Sequence, residues 1–221
     1  MRTSLQCAEL FNSSTTPWET AGTDTQFFIK KYDDGEVVVA FLGSNSKEDW
    51  KANFAFRKVP YKDMEIKFRV HRGFLSRWRE ARDLIMNKVE ALNPSCITIT
   101  GHSHGGALAL LCMEDCWFRF IKSREGRADS LKGKIHCITF GAPRILGFMN
   151  YGKIKERWEG TVELQNGSDI VACVPPVCFF YRHPVKKTFI GEKPHWYTSY
   201  KVMQHAISSY IDTINKVSGN L

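Results

Sequence analysis

The sequence predicts an α/β fold: a mostly parallel central sheet flanked by helices. Two observations carry this. Short runs rich in β-branched and aromatic residues alternate along the chain with segments whose apolar residues recur at helical spacing. One such strand, CITIT, passes into a long apolar helical run through a tight bend that holds three glycines, SCITITGHSHGGALALL from Ser95 to Leu111. At 221 residues and 43% hydrophobic, the chain can close a sizeable core around these elements.

Taken in order, TQFFIKK and EVVVAFLG read as a hairpin turning at Asp34-Gly35. Phe74, Trp78, Ala81, Ile85, Val89 and Leu92 mark one face of a helix that Asn93-Pro94 stops. CITIT is the next strand, and ALALLCMEDCWFRFI is a helix apolar on nearly every side in its first turns, as a helix pressed against a sheet must be. KIHCITFGAP, TVELQNGSD and VKKTFIG read as further strands, and TSYKVMQHAISSYIDTINKV as a closing helix. No repeat, low-complexity stretch or Pro/Gly linker divides residues 1–221, so a single domain is expected.

The net charge is +8, but lysine and arginine are spread along the chain rather than gathered into an arm, which argues against a nucleic-acid partner. No run is long or apolar enough to cross a membrane as a helix. The first residues, MRTSLQCAELFNSS, lack the apolar region of a signal peptide, and the odd total of seven cysteines reads as reduced thiols; both lead to the expectation of a cytoplasmic location. Cys112 and Cys116, with His102 and His104 nearby, match no zinc spacing, and neither metal nor organic cofactor is expected.

The bend raises a chemical question: why is Ser103 set among glycines? GHSHG fits Gly-x-Ser-x-Gly, a strand-to-helix elbow that pushes a serine hydroxyl outward, with glycines where side chains would collide. A serine hydroxyl is a weak nucleophile and needs a base, and the base needs an orienting carboxylate. In chains with this elbow the order is serine, acid, histidine. Asp169 lies just past the end of the TVELQN strand, where that acid belongs. Three histidines follow it, His183, His195 and His205. His205, near the start of the last helical segment, fits the role best, with His195 and His183 as alternatives. An oxyanion needs two backbone donors. The His104 N–H, at the positive end of the following helix, is one; the Ser44 N–H, in the loop after the VVVAFLG strand, is the other candidate.

Several segments, in their order, resemble class 3 lipases, the fungal-type triacylglycerol lipases: VVVAFLGSNSKEDWKANF, VHRGFLSRW, ITITGHSHGGALALL, ITFGAPRILG, NGSDIVACVPP and HAISSYI. The resemblance runs from about Gln26 to Tyr210, and HRGF, the elbow and TFGAPR are its most specific parts. It implies an α/β-hydrolase fold and serine esterase activity on acylglycerols or phospholipids. Carried over, Ser103 is the nucleophile, Asp169 the acid and His205 the base, with the Ser44 and His104 amides as oxyanion hole. The sequence departs from the family at Leu42, where arginine is usual, and at His104, where leucine is common; neither change removes a backbone N–H. Asn45 to Lys62 falls where such lipases carry a lid. Its interleaved Trp50, Phe54, Phe56, Tyr61 and Lys47, Lys51, Arg57, Lys58 suit peripheral contact with an anionic membrane surface. VPPVCFFY, Val174 to Tyr181, is expected either to line an acyl pocket or to be a buried strand. The function expected is lipid ester hydrolysis. The alternatives are a carboxylesterase for small or polar esters and a catalytically silent, lipase-like interaction protein.

Overall fold

The computed structural model describes residues 2–43, 57–61, 68–148, 150–192 and 201–218. Helix α1 (Ser4–Asn12) opens the chain on a reciprocal cap: Gln6 N–H donates to the Thr3 hydroxyl and the Gln6 side chain accepts from Thr3 N–H. Strands β1 (Glu19–Ala21), β2 (Thr25–Lys31) and β3 (Glu36–Phe41) follow as an antiparallel edge. The β2–β3 turn is the expected one, with Gly35 at φ +82°, a conformation that costs glycine nothing.

From β3 onward the large sheet is parallel. β6 (Cys96–His102), β7 (Ile135–Phe140), β9 (Thr161–Asn166) and β11 (Thr188–Ile190) continue it in the order β1-β2-β3-β6-β7-β9-β11. The register pairs Phe41 with Gly101 and His102 with Phe140. The C-terminal ends of β3, β6 and β7 therefore stop side by side at one edge of the sheet.

A smaller antiparallel sheet, in the order β10-β8-β5-β4, is built from β4 (Lys58–Tyr61), β5 (Phe68–His71), β8 (Leu146–Gly147) and β10 (Tyr181–Arg182). No sequence pattern announces it. Strands of two to four residues carry no measurable alternation, and their pairing is imposed by the bodies they join.

Helices α2 (Arg72–Ala91) and α3 (His104–Phe120) cover one face of the large sheet. Their Phe74, Trp78, Ile85, Leu108 and Leu111 bury against Val37, Val39, Ile97 and Ile99. α2 begins two residues before the periodic signal because the His71 ring Nδ1 accepts the Gly73 N–H and caps it. The other face is covered more thinly. There α1 and α5 (Ile207–Ser218) pack Cys7, Ala8, Tyr210 and Ile214 on Ile138, Phe140 and Leu164; a short α4 (Tyr151–Ile154) lies between α3 and α5 in the chain.

Two expected elements come out differently. The closing helix starts at Ile207; residues 193–200 lie outside the described residues, and Val202–His205 form a 3-10 turn. Tertiary bonds override helical propensity there. Lys201 N–H donates to Ser168 O (3.1 Å), Ser168 N–H to the Gln204 side chain (2.6 Å), and the Asn166 amide to Gln204 O (3.3 Å). The apolar VPPVCFFY segment is not a buried strand: Val177–Phe179 form a 3-10 turn with exposed side chains, and only Tyr181 enters a strand.

Midway along α3 lies a buried polar cluster that hydropathy had hidden inside an apolar helix. Asp115 accepts from Trp78 Nε1 (2.6 Å) and Tyr61 OH (3.1 Å), and Glu114 pairs with Arg157. Burial and the neighbouring Asp115 carboxylate push Glu114 up to about 7, with Arg157 opposing. A carboxyl raised in the folded state binds more protons there than in the unfolded chain, so its contribution to stability falls as pH rises from about 4.5 to about 7. Urea unfolding of the wild type and of Glu114→Gln across that range tests this. The difference in unfolding free energy, wild type minus variant, is expected to decline with rising pH and level off above it; a difference flat with pH would refute the assignment.

Candidate active site

The bend between β6 and α3 is set by close backbone approach. A Cβ on Gly105 would stand 2.1 Å from the Phe41 carbonyl oxygen, and one on Gly101 2.2 Å from the Gly105 carbonyl oxygen. A Cβ on Gly106 would sit 2.7 Å from that of Ala142. Only glycine satisfies these positions. Ser103, between them, is held at φ +57°, a left-handed conformation that a serine adopts only when its surroundings enforce it. Its N–H donates to Phe140 O (2.9 Å), and its carbonyl accepts from Gly106 N–H (2.9 Å).

His104, the first residue of α3, offers its N–H among the first-turn donors that have no partner within the helix. Its ring lies 5.4 Å from that of Phe74. Ser44 lies outside the described residues. Gly43, just before it, sits where a Cβ would be 3.1 Å from Ser103 Cβ, so the chain leaves β3 directly alongside the elbow.

Asp169 is fully buried just beyond β9. Its carboxylate accepts from Val171 N–H (2.9 Å), Tyr210 OH (2.6 Å) and His205 Nδ1 (2.9 Å). The Tyr210 hydroxyl is raised well above its ordinary value by burial and by the Asp169 charge, so it remains a donor. Since a carboxylate only accepts, the His205 proton resides on Nδ1, which leaves Nε2 as the basic nitrogen.

The pair and the elbow share one place. Gly141, next to the Phe140 that accepts from Ser103, lies where a Cβ would be 2.5 Å from Asp169 Oδ2 and 2.8 Å from His205 Nδ1. His102, next to Ser103, stacks its ring on that of His205 at 4.7 Å and donates through Nε2 to His205 O (2.7 Å). Burial, and then the repulsion of the neighbouring His205, press His102 down to about 4, so this ring is neutral under ordinary conditions.

The structure thus brings Ser103, Asp169, His205 and His104 to the C-terminal edge of the sheet. It separates off His183, whose two ring nitrogens are engaged by Glu163 (2.7 Å) and Ala172 O (2.8 Å). His195 lies outside the described residues, as does 45–56 of the lid-like region. Two contributors escaped the sequence reading. His102 was visible only as the variable residue of the elbow pattern. Tyr210 lies five residues beyond His205 in a helix, a spacing with no meaning until the helix docks. The TFGAPR segment also acquires a role: Arg144 N–H donates to Val174 O (2.7 Å) and its guanidinium to the carbonyls of Cys173 and Pro175, tying the loop after β7 to the loop that bears Asp169.

The family model for lipase (class 3) matches residues 38–179. The chain belongs to the class 3 lipase family. It is similar to the lipase of Rhizomucor miehei, 30% identical over 183 residues, covering 79% of this chain and 47% of that protein. The solved structure of that triacylglyceride lipase superposes with a TM-score of 0.65 at 25% identity over 78% of this chain and 64% of the other. The secreted mono- and diacylglycerol lipase 1 of Fusarium solani is 30% identical, covering 72% of this chain and 45% of that one. The phospholipase A1-II 6 of Oryza sativa is 28% identical, covering 64% and 40%. The fold is that of the α/β hydrolases, and this chain spans less than half the length of these curated relatives.

These relatives correct one expectation. A cytoplasmic location does not stand beside class 3 lipases that are secreted, such as the Fusarium enzyme and the secreted mono- and diacylglycerol lipase MDL3 of Malassezia globosa. Cys7, Cys112 and Cys137 are buried as small hydrophobes, and burial pushes Cys7 up to about 12 and raises the other two. Such thiols stay reduced because they are inaccessible, and they say nothing of compartment.

Tyr210→Phe tests the support of the carboxylate. It removes one of three donors from a buried charge and is expected to lower stability by about 1–3 kcal/mol in urea unfolding at neutral pH. An unchanged midpoint would mean that Tyr210 contributes packing alone.

Proposed function

We propose that this chain is one domain that hydrolyses carboxylic esters of lipids through an acyl-enzyme. Ser103 attacks the ester carbonyl carbon while His205 Nε2 takes the hydroxyl proton. Asp169 holds the imidazole in the needed tautomer and offsets the charge it gains. The His104 and Ser44 amides receive the oxyanion. As the tetrahedral intermediate collapses, His205 returns its proton to the leaving alcohol. Water, activated by the same imidazole, then releases the acid and frees Ser103.

What carries the reading is the Asp169–His205 bonded pair standing beside the elbow, with the ring before Ser103 stacked on the base. Family membership agrees with it. Support for a lipid ester comes from the apolar rim: Val202 and Met203, on the same turn as His205, are 72% and 86% exposed. Peripheral contact with an anionic membrane surface belongs to the same proposal.

A fluorophosphonate probe separates this from the silent interaction protein. The wild type is expected to be labelled, Ser103→Ala not at all, and His205→Ala at least about a thousandfold more slowly. An unlabelled wild type, beside a serine esterase that reacts, would sink the proposal. A chain-length series of p-nitrophenyl esters addresses the carboxylesterase alternative, which wins if acetate is turned over faster than the medium-chain esters.

A further inference from the structure

The turn Val177–Phe179 and the residue after it form an exposed apolar ridge. Val177 is 53% exposed and Phe180 69%, while the Phe148 ring, also exposed, stands 6.4 Å from that of Phe180. Phe180 is held at φ +58°. A bulky aromatic residue in the left-handed region is strained, and here no core burial of its ring offsets that strain. A ridge of large apolar residues rimmed by cations marks a binding surface.

The rim is basic. Lys58 Nζ lies 5.6 Å from the Phe180 ring and 4.7 Å from that of Tyr181, and it donates to Phe179 O (2.6 Å). The Arg182 guanidinium lies 5.4 Å from the Phe148 ring and 3.5 Å from that of Tyr151. The two segments that supply the rings, Gly141 to Lys155 and Ile170 to Gly191, contain no aspartate or glutamate. The complement of such a surface is a layer that accepts rings between its headgroups and presents negative charge to the cations around them.

We infer that the ridge of Phe148, Val177 and Phe180, rimmed by Lys58 and Arg182, docks the protein on an anionic lipid layer. Apart from Lys58, its residues lie outside the Asn45–Lys62 run in the chain, and none of them belongs to the proposed catalytic group. The inference builds on the lipid reading above, but docking is scored on lipids that cannot be cleaved, so loss of docking and loss of hydrolysis are read separately.

The test is co-sedimentation of the full chain with vesicles of ether-linked phosphatidylcholine, alone or mixed equally with ether-linked phosphatidylglycerol. Wild type is expected to bind the mixed vesicles roughly tenfold or more tightly than the neutral ones, with the advantage lost at high salt. Phe180→Gly suits the backbone conformation, so it removes the ring without threatening the fold. Combined with Phe148→Ala, it is expected to weaken binding to the mixed vesicles by about tenfold while turnover of a soluble short-chain ester is unchanged. Arg182→Gln is expected to reduce the preference for phosphatidylglycerol more than binding to phosphatidylcholine. Equal binding of wild type to both vesicles, undiminished binding by the double variant, or a concentration-dependent dimer that the double variant abolishes would each overturn the inference.

Discussion

The contact on which the rest depends is backbone against backbone: Gly105, at the start of α3, runs into the carbonyl of Phe41 at the end of β3. No side chain fits between them. This approach fixes the first turn of α3 over the sheet edge and holds Ser103, largely buried, at a positive φ. The energy for so strained a turn comes from elsewhere. Ala107, Leu108, Leu110 and Leu111 are all buried, and docking the rest of α3 holds the bend in place. The nucleophile candidate and the core are thus one construction, since whatever loosens α3 also relaxes the serine.

The carboxylate end of the site is supported by a different means. Asp169 sits at zero exposure, and a charge there persists only with several donors aimed at it. One donor is local, the Val171 N–H; the other two arrive from the last fifth of the chain, from His205 and Tyr210. Beneath the loop, His183 and Lys187 converge on the Ala172 carbonyl, Glu163 braces His183, and Lys187 also donates to Gln165. His183 resembles a base in sequence but acts as a strut here. Around its short 3-10 turn, Val171–Cys173, the loop holds its shape through polar bonds of defined direction.

The α/β class, the hairpin, α2 and the elbow were legible because each rests on a signal within one segment: alternation, helical period, or glycines at a fixed offset. The small antiparallel sheet, α1 and the turn before α5 were not, because distant parts of the chain decide them. Gln204 and Lys201 look like helix residues until Ser168 and Asn166 are placed beside them. The same division runs through the site. Ser103 and Asp169 could be picked out by their place after strand ends, and His205 only by preference among three. His102, Tyr210 and Arg144 act through bonds to residues roughly 30 to 100 positions away, and no local pattern announces such partners. The buried Glu114–Arg157 pair was concealed for the opposite reason, as charges inside a helix that otherwise reads as core.

His102 brings these strands together. Its Nε2–H is committed to the His205 carbonyl, so the residue preceding Ser103 grips the main chain of the residue proposed as its base. This bond ties the turn that carries His205 to the end of β6 in the central sheet. The stacked geometry would be repulsive if both rings were charged. Burial and that repulsion keep His102 neutral down to about pH 4, with Nε2 protonated because a carbonyl can only accept. A neutral donor here supplies attachment without placing a second cation against the imidazole that must gain a proton. A lysine or arginine could make the same bond but would oppose that proton, and an aliphatic residue would fill the space without holding the carbonyl. Of the roles open to the residue before Ser103, an imidazole meets all three demands: a flat face to stack, a donor to bind, and no charge.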